Sequence, residues 1–208
     1  MGDVQKEFLT IKEEMTAEIV EKKSKFIASV FYIEDENDAN EKILKVKKEN
    51  RDARHNVYAY RLSNGFEKYS DDGEPSGTAG AVILELLRGE KLSNVLIVVT
   101  RYFGGILLGT GGLARCYGGA AKLATEKLEK VQMKLCKEFK VSLSYDMYSI
   151  LQYYCKNNDI KILDTKFLDK IEVNVLVYDS HSQKFLHDLS EITNRTACFE
   201  LVRECYHE

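Results

Sequence analysis

Proline is almost absent, with Pro75 the only one in 208 residues. That excludes a proline-rich linker or a rigid polyproline spacer. Long apolar runs are missing too, and a membrane-spanning helix needs about 18 or more such residues in succession. Residues 1–15 are acidic and polar, with no basic stretch leading into an apolar one, so a secretory leader is not expected. The five cysteines, Cys116, Cys136, Cys155, Cys198 and Cys205, are odd in number and form no C-x-x-C pair. Neither a zinc ribbon nor a disulfide framework fits that pattern. Reduced, mostly buried thiols in a cytoplasmic protein are the expectation. Charge of one sign is also lacking: the net is −3, spread evenly along the chain. No long-range field draws such a chain to nucleic acid, so any such contact rests on a local basic patch.

What is present is patterned. Residues 16–22 and 26–32 read as two strands with Lys23-Ser24-Lys25 as their turn. Residues 35–50 read as a surface helix, acidic first and lysine-rich last, which suits the helix dipole. Strands follow over 56–62 and 66–70, then a loop from Asp71 to Gly77, then a helix over 78–87 closed by Arg88-Gly89 as a glycine cap. The β-branched run Val95-Leu96-Ile97-Val98-Val99 reads as a buried central strand over 94–100. A glycine-rich loop leads into a helix over about 110–130. Strands over 138–145, 160–168, 171–178 and 197–204, with helices over 147–158 and 182–193, give the order β-α-β-β-α-β of a ferredoxin-like domain. The fold class is thus α+β, with 1–133 as a first domain and 134–208 as a second.

Seven of the 13 glycines fall between Gly104 and Gly119. Between a buried strand and a helix start, Gly104, Gly105, Gly109, Gly111 and Gly112 would let an anion approach free backbone amides. Thr110 is a candidate cap, and Arg101 and Arg115 candidate phosphate ligands. The competing reading is close packing of helix on sheet by small residues. Gly104 and Gly109 have P-loop spacing, but Thr110 stands where lysine is required. Gly109 to Ala114 fits G-x-G-x-x-A, but the loop after the strand is too long for a dinucleotide turn. A second cluster joins Arg54 and His55 to the loop Asp71, Asp72, Gly73, Glu74, Pro75 and Ser76. It reads as a binding loop, as carboxylates capping the next helix, or as a metal or proton-transfer site. His181, His187 and His207 lack metal-ligand spacing, and no cofactor or metal is expected.

Four ordered blocks resemble the IMPACT family in its bacterial form. They are Lys22 to Phe26, Ala53 to Tyr60, Ser70 to Gly80 and Val99 to Leu113. The resemblance implies a first domain like domain IV of elongation factor G and a small-subunit ribosomal protein. It implies a ferredoxin-like second domain similar to domain V of that factor. Eukaryotic relatives regulate translation through an additional N-terminal domain, which is not expected here. The resemblance supplies no catalytic residues.

Three functions fit. The first is a non-enzymatic, translation-associated protein that binds RNA or a ribosomal surface, by fold analogy. The second is an enzyme acting on a phosphorylated ligand or nucleotide, with Asp71, Asp72 or Glu74 holding a metal. The third is a protein-interaction module. No membrane partner is expected.

Overall fold

The computed structural model describes residues 5–208. Residues 1–4, part of the acidic N-terminal stretch, lie outside the described residues. The chain divides into two compact units between Gln132 and Met133. Both are mixed α+β, and their sheets are built from antiparallel pairs.

The first unit runs β1 (Glu7–Ile11), β2 (Met15–Glu21), β3 (Ser24–Tyr32), α1 (Glu36–Glu49), β4 (His55–Arg61), β5 (Glu67–Ser70), α2 (Gly80–Gly89), β6 (Val95–Tyr102) and α3 (Gly109–Thr125). Its main sheet has the order β2-β3-β6-β4-β5. Strand β6 explains its own composition. Val95, Ile97 and Val99 enter the core shared with α2 and α3, while Leu96 and Val98 enter the core shared with α1. A strand buried on both faces has no polar face, so the apolar run is continuous. Helix α1 starts where Asp35 accepts from the Asn37 and Asp38 amides, a side-chain cap worth about 1 kcal/mol.

Several boundaries differ from the sequence reading. The β2–β3 turn is Lys22-Lys23, not Lys23-Ser24-Lys25. Glu21 pairs with Ser24, and both lysines have positive φ, 45° and 66°. That is the twist a two-residue hairpin turn demands. Gly89 does not cap α2. It is the last helical residue, and Lys91 takes the left-handed position at φ 56°. The Lys91 and Leu92 amides then donate to the Arg88 and Leu87 carbonyls, which is a Schellman closure. Strand β6 continues two residues past Thr100, so Arg101 is a strand residue rather than a loop residue. Helix α3 ends at Thr125 rather than near residue 130. Strand β1, which the polar N-terminal stretch concealed, buries Phe8 and Ile11. Its Leu9 carbonyl accepts from the Ser93 amide at 2.8 Å.

The second unit consists of β7 (Lys130–Leu143), which begins just before the division, α4 (Tyr145–Asn157), β8 (Lys161–Phe167), β9 (Ile171–Tyr178), α5 (Asp179–Ile192) and β10 (Cys198–His207). Strand β7 starts eight residues before the expected Glu138. Its sheet order is β8-β9-β7-β10. Phe139, Val141, Val173 and Val175 on the sheet pack with Leu151 of α4 and Phe185 of α5 in one core. The opposite sheet face carries Lys140, Glu172 and Asn174.

Candidate functional site

Pairing register assembles the site. Arg101 of β6 lies opposite Phe26 of β3 and opposite His55 of β4. Residues directly opposite in a sheet share a face. Arg101 alternates in step with Val99 and Ile97, so this face is the one under α2 and α3.

The loop after β5 folds back over that row. Asp71 accepts from the Gly77, Ala79 and Gly80 amides and so caps the start of α2. Asp72 accepts from the Asn56 amide and from Lys47 Nζ, both at 2.7 Å. Its carbonyl accepts from His55 Nδ1 at 2.9 Å, which leaves Nε2 facing Glu74 at 4.0 Å. Glu74, with its side chain 4% exposed, accepts from Arg101 Nη1 at 2.6 Å and from the Tyr117 hydroxyl at 2.8 Å. Burial, then the bond to Glu74, pushes the Tyr117 hydroxyl far above its ordinary pKa. The Arg101 guanidinium lies 5.5 Å from the Phe26 ring centre and 5.4 Å from that of Phe103.

Two expectations change here. Arg101 is 5% exposed and faces an internal carboxylate, so it is not a surface phosphate ligand. The carboxylates of Asp71, Asp72 and Glu74 are taken up by the protein itself, which leaves them poorly placed to hold a metal. Among the described residues, no cluster of three His, Cys, Asp or Glu side chains could hold a metal ion. The loop positions Gly73, Pro75 and Ser76 are exposed.

With the carboxylates turned inward, cations remain outside. Lys22, Lys23, Arg54 and Arg115 are exposed and make no ion pair with a described residue. Gly104 binds the glycine loop to the lysine turn. Its amide donates to Ser24 Oγ at 3.1 Å, and a Cβ there would overlap the Lys23 carbonyl. The result is a groove of about 340 Å³ lined by Ile19, Val20, Glu21, Lys22, Leu108, Gly112, Arg115 and Cys116. Glu21 is its single acidic lining residue, and Lys23 and Arg54 lie outside the lining.

Helix α3 reaches this groove through Leu108 and Gly112, with Gly109, Thr110 and Gly111 outside the lining. Its first residue, Gly109, has φ +72°, and its N-cap, Leu108, supplies no capping side chain. Thr110 therefore lies inside the helix and does not cap it. Gly109, Thr110 and Gly111 are exposed, and a Cβ at Gly111 would meet nothing within 4 Å. Uncapped first-turn amides favour an anion. Gly105, with φ +86°, turns the exposed loop that carries Phe103, Ile106 and Leu107. The sequence reading missed Tyr117, although it falls on the α3 stripe with Leu113, Ala120 and Ala124. It placed Lys22 at the end of a strand and Lys23 in the following turn, and gave neither a binding role.

A two-unit α+β protein with a basic groove at a glycine-rich helix start is thus defined. The Impact N-terminal domain family matches residues 22–125. A domain of unknown function, DUF1949, matches residues 141–194. The IMPACT family member YvyE of Bacillus subtilis is 34% identical, over 90% of this chain and 87% of that protein. The IMPACT family member YigZ of Escherichia coli is 33% identical, over 70% of this chain and 74% of that protein. The crystal structure of a hypothetical protein superposes with a TM-score of 0.67 at 27% identity, covering 95% of this chain and 98% of the other. The chain belongs to the IMPACT family.

Proposed function

We propose that this protein binds RNA phosphates, presented on a ribosomal surface, through the groove between the Lys22-Lys23 turn and the start of α3. The observation that carries this reading is the sorting of charge. Asp71, Asp72 and Glu74 face inward to amides, Lys47, Arg101 and Tyr117, while Lys22, Lys23 and Arg115 face solvent beside open helix amides. Amides and cations that converge on one groove recognise phosphate without reading base sequence. The likeness to elongation-factor and ribosomal-protein domains implied by the family supports the same partner. The role is regulatory rather than catalytic.

Cosedimentation with ribosomes at low salt tests the proposal. The wild-type chain is expected to pellet with ribosomes, and Lys22→Ala/Lys23→Ala/Arg115→Ala to remain in the supernatant. Equal pelleting of the two would remove the groove as the contact.

The exposed loop gives a second reading specific support. Leu107 is 83% exposed, with Phe103 and Ile106 beside it in sequence at 43% and 44%. Apolar side chains held out in this way suit a protein surface. Leu107→Ser with intact cations separates the two readings. Loss of ribosome binding in that variant alone would favour a protein contact.

A further inference from the structure

Two of the five cysteines meet across a strand pair. Before residue 202, strand β10 pairs with β7 in the register Leu201↔Phe139. Continued unchanged, that register would set Cys205 opposite Leu135. A register shift between Leu201 and Arg203 moves the pairing by one residue and sets Cys205 directly opposite Cys136. Directly opposed residues point to the same face. Their Cα atoms lie about 4.5–5.5 Å apart in an antiparallel ladder, inside the roughly 4.4–6.8 Å that a disulfide spans.

The two thiols differ in access. Cys205 is partly exposed, whereas Cys136 is buried. Cys136 nonetheless lines a cleft of about 370 Å³ with Ile160, Leu176, Tyr178 and His207. Cys116 and Cys155 are buried without a cysteine opposite, and the exposed Cys198 lies opposite Ser142.

We infer that Cys136 and Cys205 form a redox-sensitive pair, which a low-molecular-weight disulfide such as oxidised glutathione closes into an intramolecular disulfide. The Cys205 thiolate attacks glutathione disulfide, forming a mixed disulfide and releasing one glutathione thiolate. The Cys136 thiolate then attacks the Cys205 sulfur and releases the second. The two protons lost by the protein thiols end on the two glutathiones, so two protein thiols are oxidised and one glutathione disulfide is reduced. The bond would tie the last turn-free stretch of β10 covalently to β7.

The second step carries a signature. Burial, then the nearby Cys205, pushes the Cys136 thiol up to about 11. The groups facing it are Lys134 on its own strand, Cys205 and His207 on β10 with Glu208 just beyond, Tyr178 on β9, and Asp159 and Lys161 across the cleft. Because the thiolate is the nucleophile and burial keeps Cys136 protonated at neutral pH, ring closure should speed up as pH rises.

The test is oxidation of the full-length chain with excess glutathione disulfide, followed by non-reducing peptide mass spectrometry. The expected product is a monomer lighter by two hydrogen atoms, with the Cys136 and Cys205 peptides cross-linked. Cys198→Ser should retain that product, and Cys205→Ser should abolish it while remaining folded by circular dichroism. Oxidation that stops at a glutathione adduct, or that links chains through Cys198, would overturn the pair. A rate of cross-linking that does not change with pH would contradict attack by the Cys136 thiolate as the closing step.

Discussion

Arg101 looks in sequence like a surface cation of the glycine-rich segment, yet it holds Glu74 in the interior between two aromatic rings. Removing one partner of a buried ion pair leaves the other charge uncompensated, at a cost of about 3–5 kcal/mol. Arg101→Met should therefore lower the urea midpoint strongly. Arg101→Met/Glu74→Met should recover much of that loss, because the pair itself contributes little net stability. A double variant no better than the single one would show that Glu74 is held by other groups. Tyr117→Phe removes only one donor to Glu74, for about 1–3 kcal/mol. In the groove itself, Glu21→Gln deletes the one opposing carboxylate. It should tighten RNA binding, read by fluorescence anisotropy, and weaker binding would contradict the assignment. The inward turn of Arg101 was legible in principle. Its parity with Val99 and Ile97 puts it on the buried face once β6 is extended by two residues. Its partner was not legible, since Glu74 lies 27 residues away in a loop without periodicity.

Single elements explain where the sequence reading held and where it slipped. Helix α1 follows its cap and its charge order closely, and β9 spans Ile171–Tyr178 as its alternation predicts. The glycine cap at Gly89 slipped because Schellman geometry at Lys91 is set by the path into β6, not by residue type. Left-handed backbone costs a non-glycine residue about 1–2 kcal/mol. Lys91→Gly should consequently raise the melting temperature, and a lower one would show that the lysine side chain matters at that turn. Strand β5 supplies a pH test. Hydrogen bonding from Arg88, and also from Arg61, holds the Glu67 carboxyl below its ordinary value of 4.5 despite partial burial. The unfolded chain thus takes up a proton first as pH falls. The bridge's contribution is complete above about pH 4.5 and is lost as pH drops through the folded-state value. Glu67→Gln should lower stability at neutral pH and flatten the acid side of the stability profile. An unchanged acid slope would mean that the bridge contributes nothing.

For the whole molecule, a net charge of −3 requires that any attraction for RNA be local. On the proposed reading, Lys22, Lys23, Arg115 and the first turn of α3 supply that locality in the first unit, with the Asp71, Asp72 and Glu74 carboxylates turned inward. Family membership and mixed α+β architecture were legible from ordered motif blocks and alternating periodicity. The sorting of charge was not, because a sequence gives the number of acidic residues in a loop but not the direction their side chains take. Among the described residues no helix is long and apolar enough to cross a membrane. The most direct measurement is the salt dependence of RNA affinity for the wild-type chain and for Lys22→Glu/Lys23→Glu/Arg115→Glu. The wild type should show log K falling linearly with log salt, and the variant should lose affinity and shed about one unit of slope for each phosphate contact removed. Identical slopes and affinities in the two proteins would contradict a phosphate-binding groove.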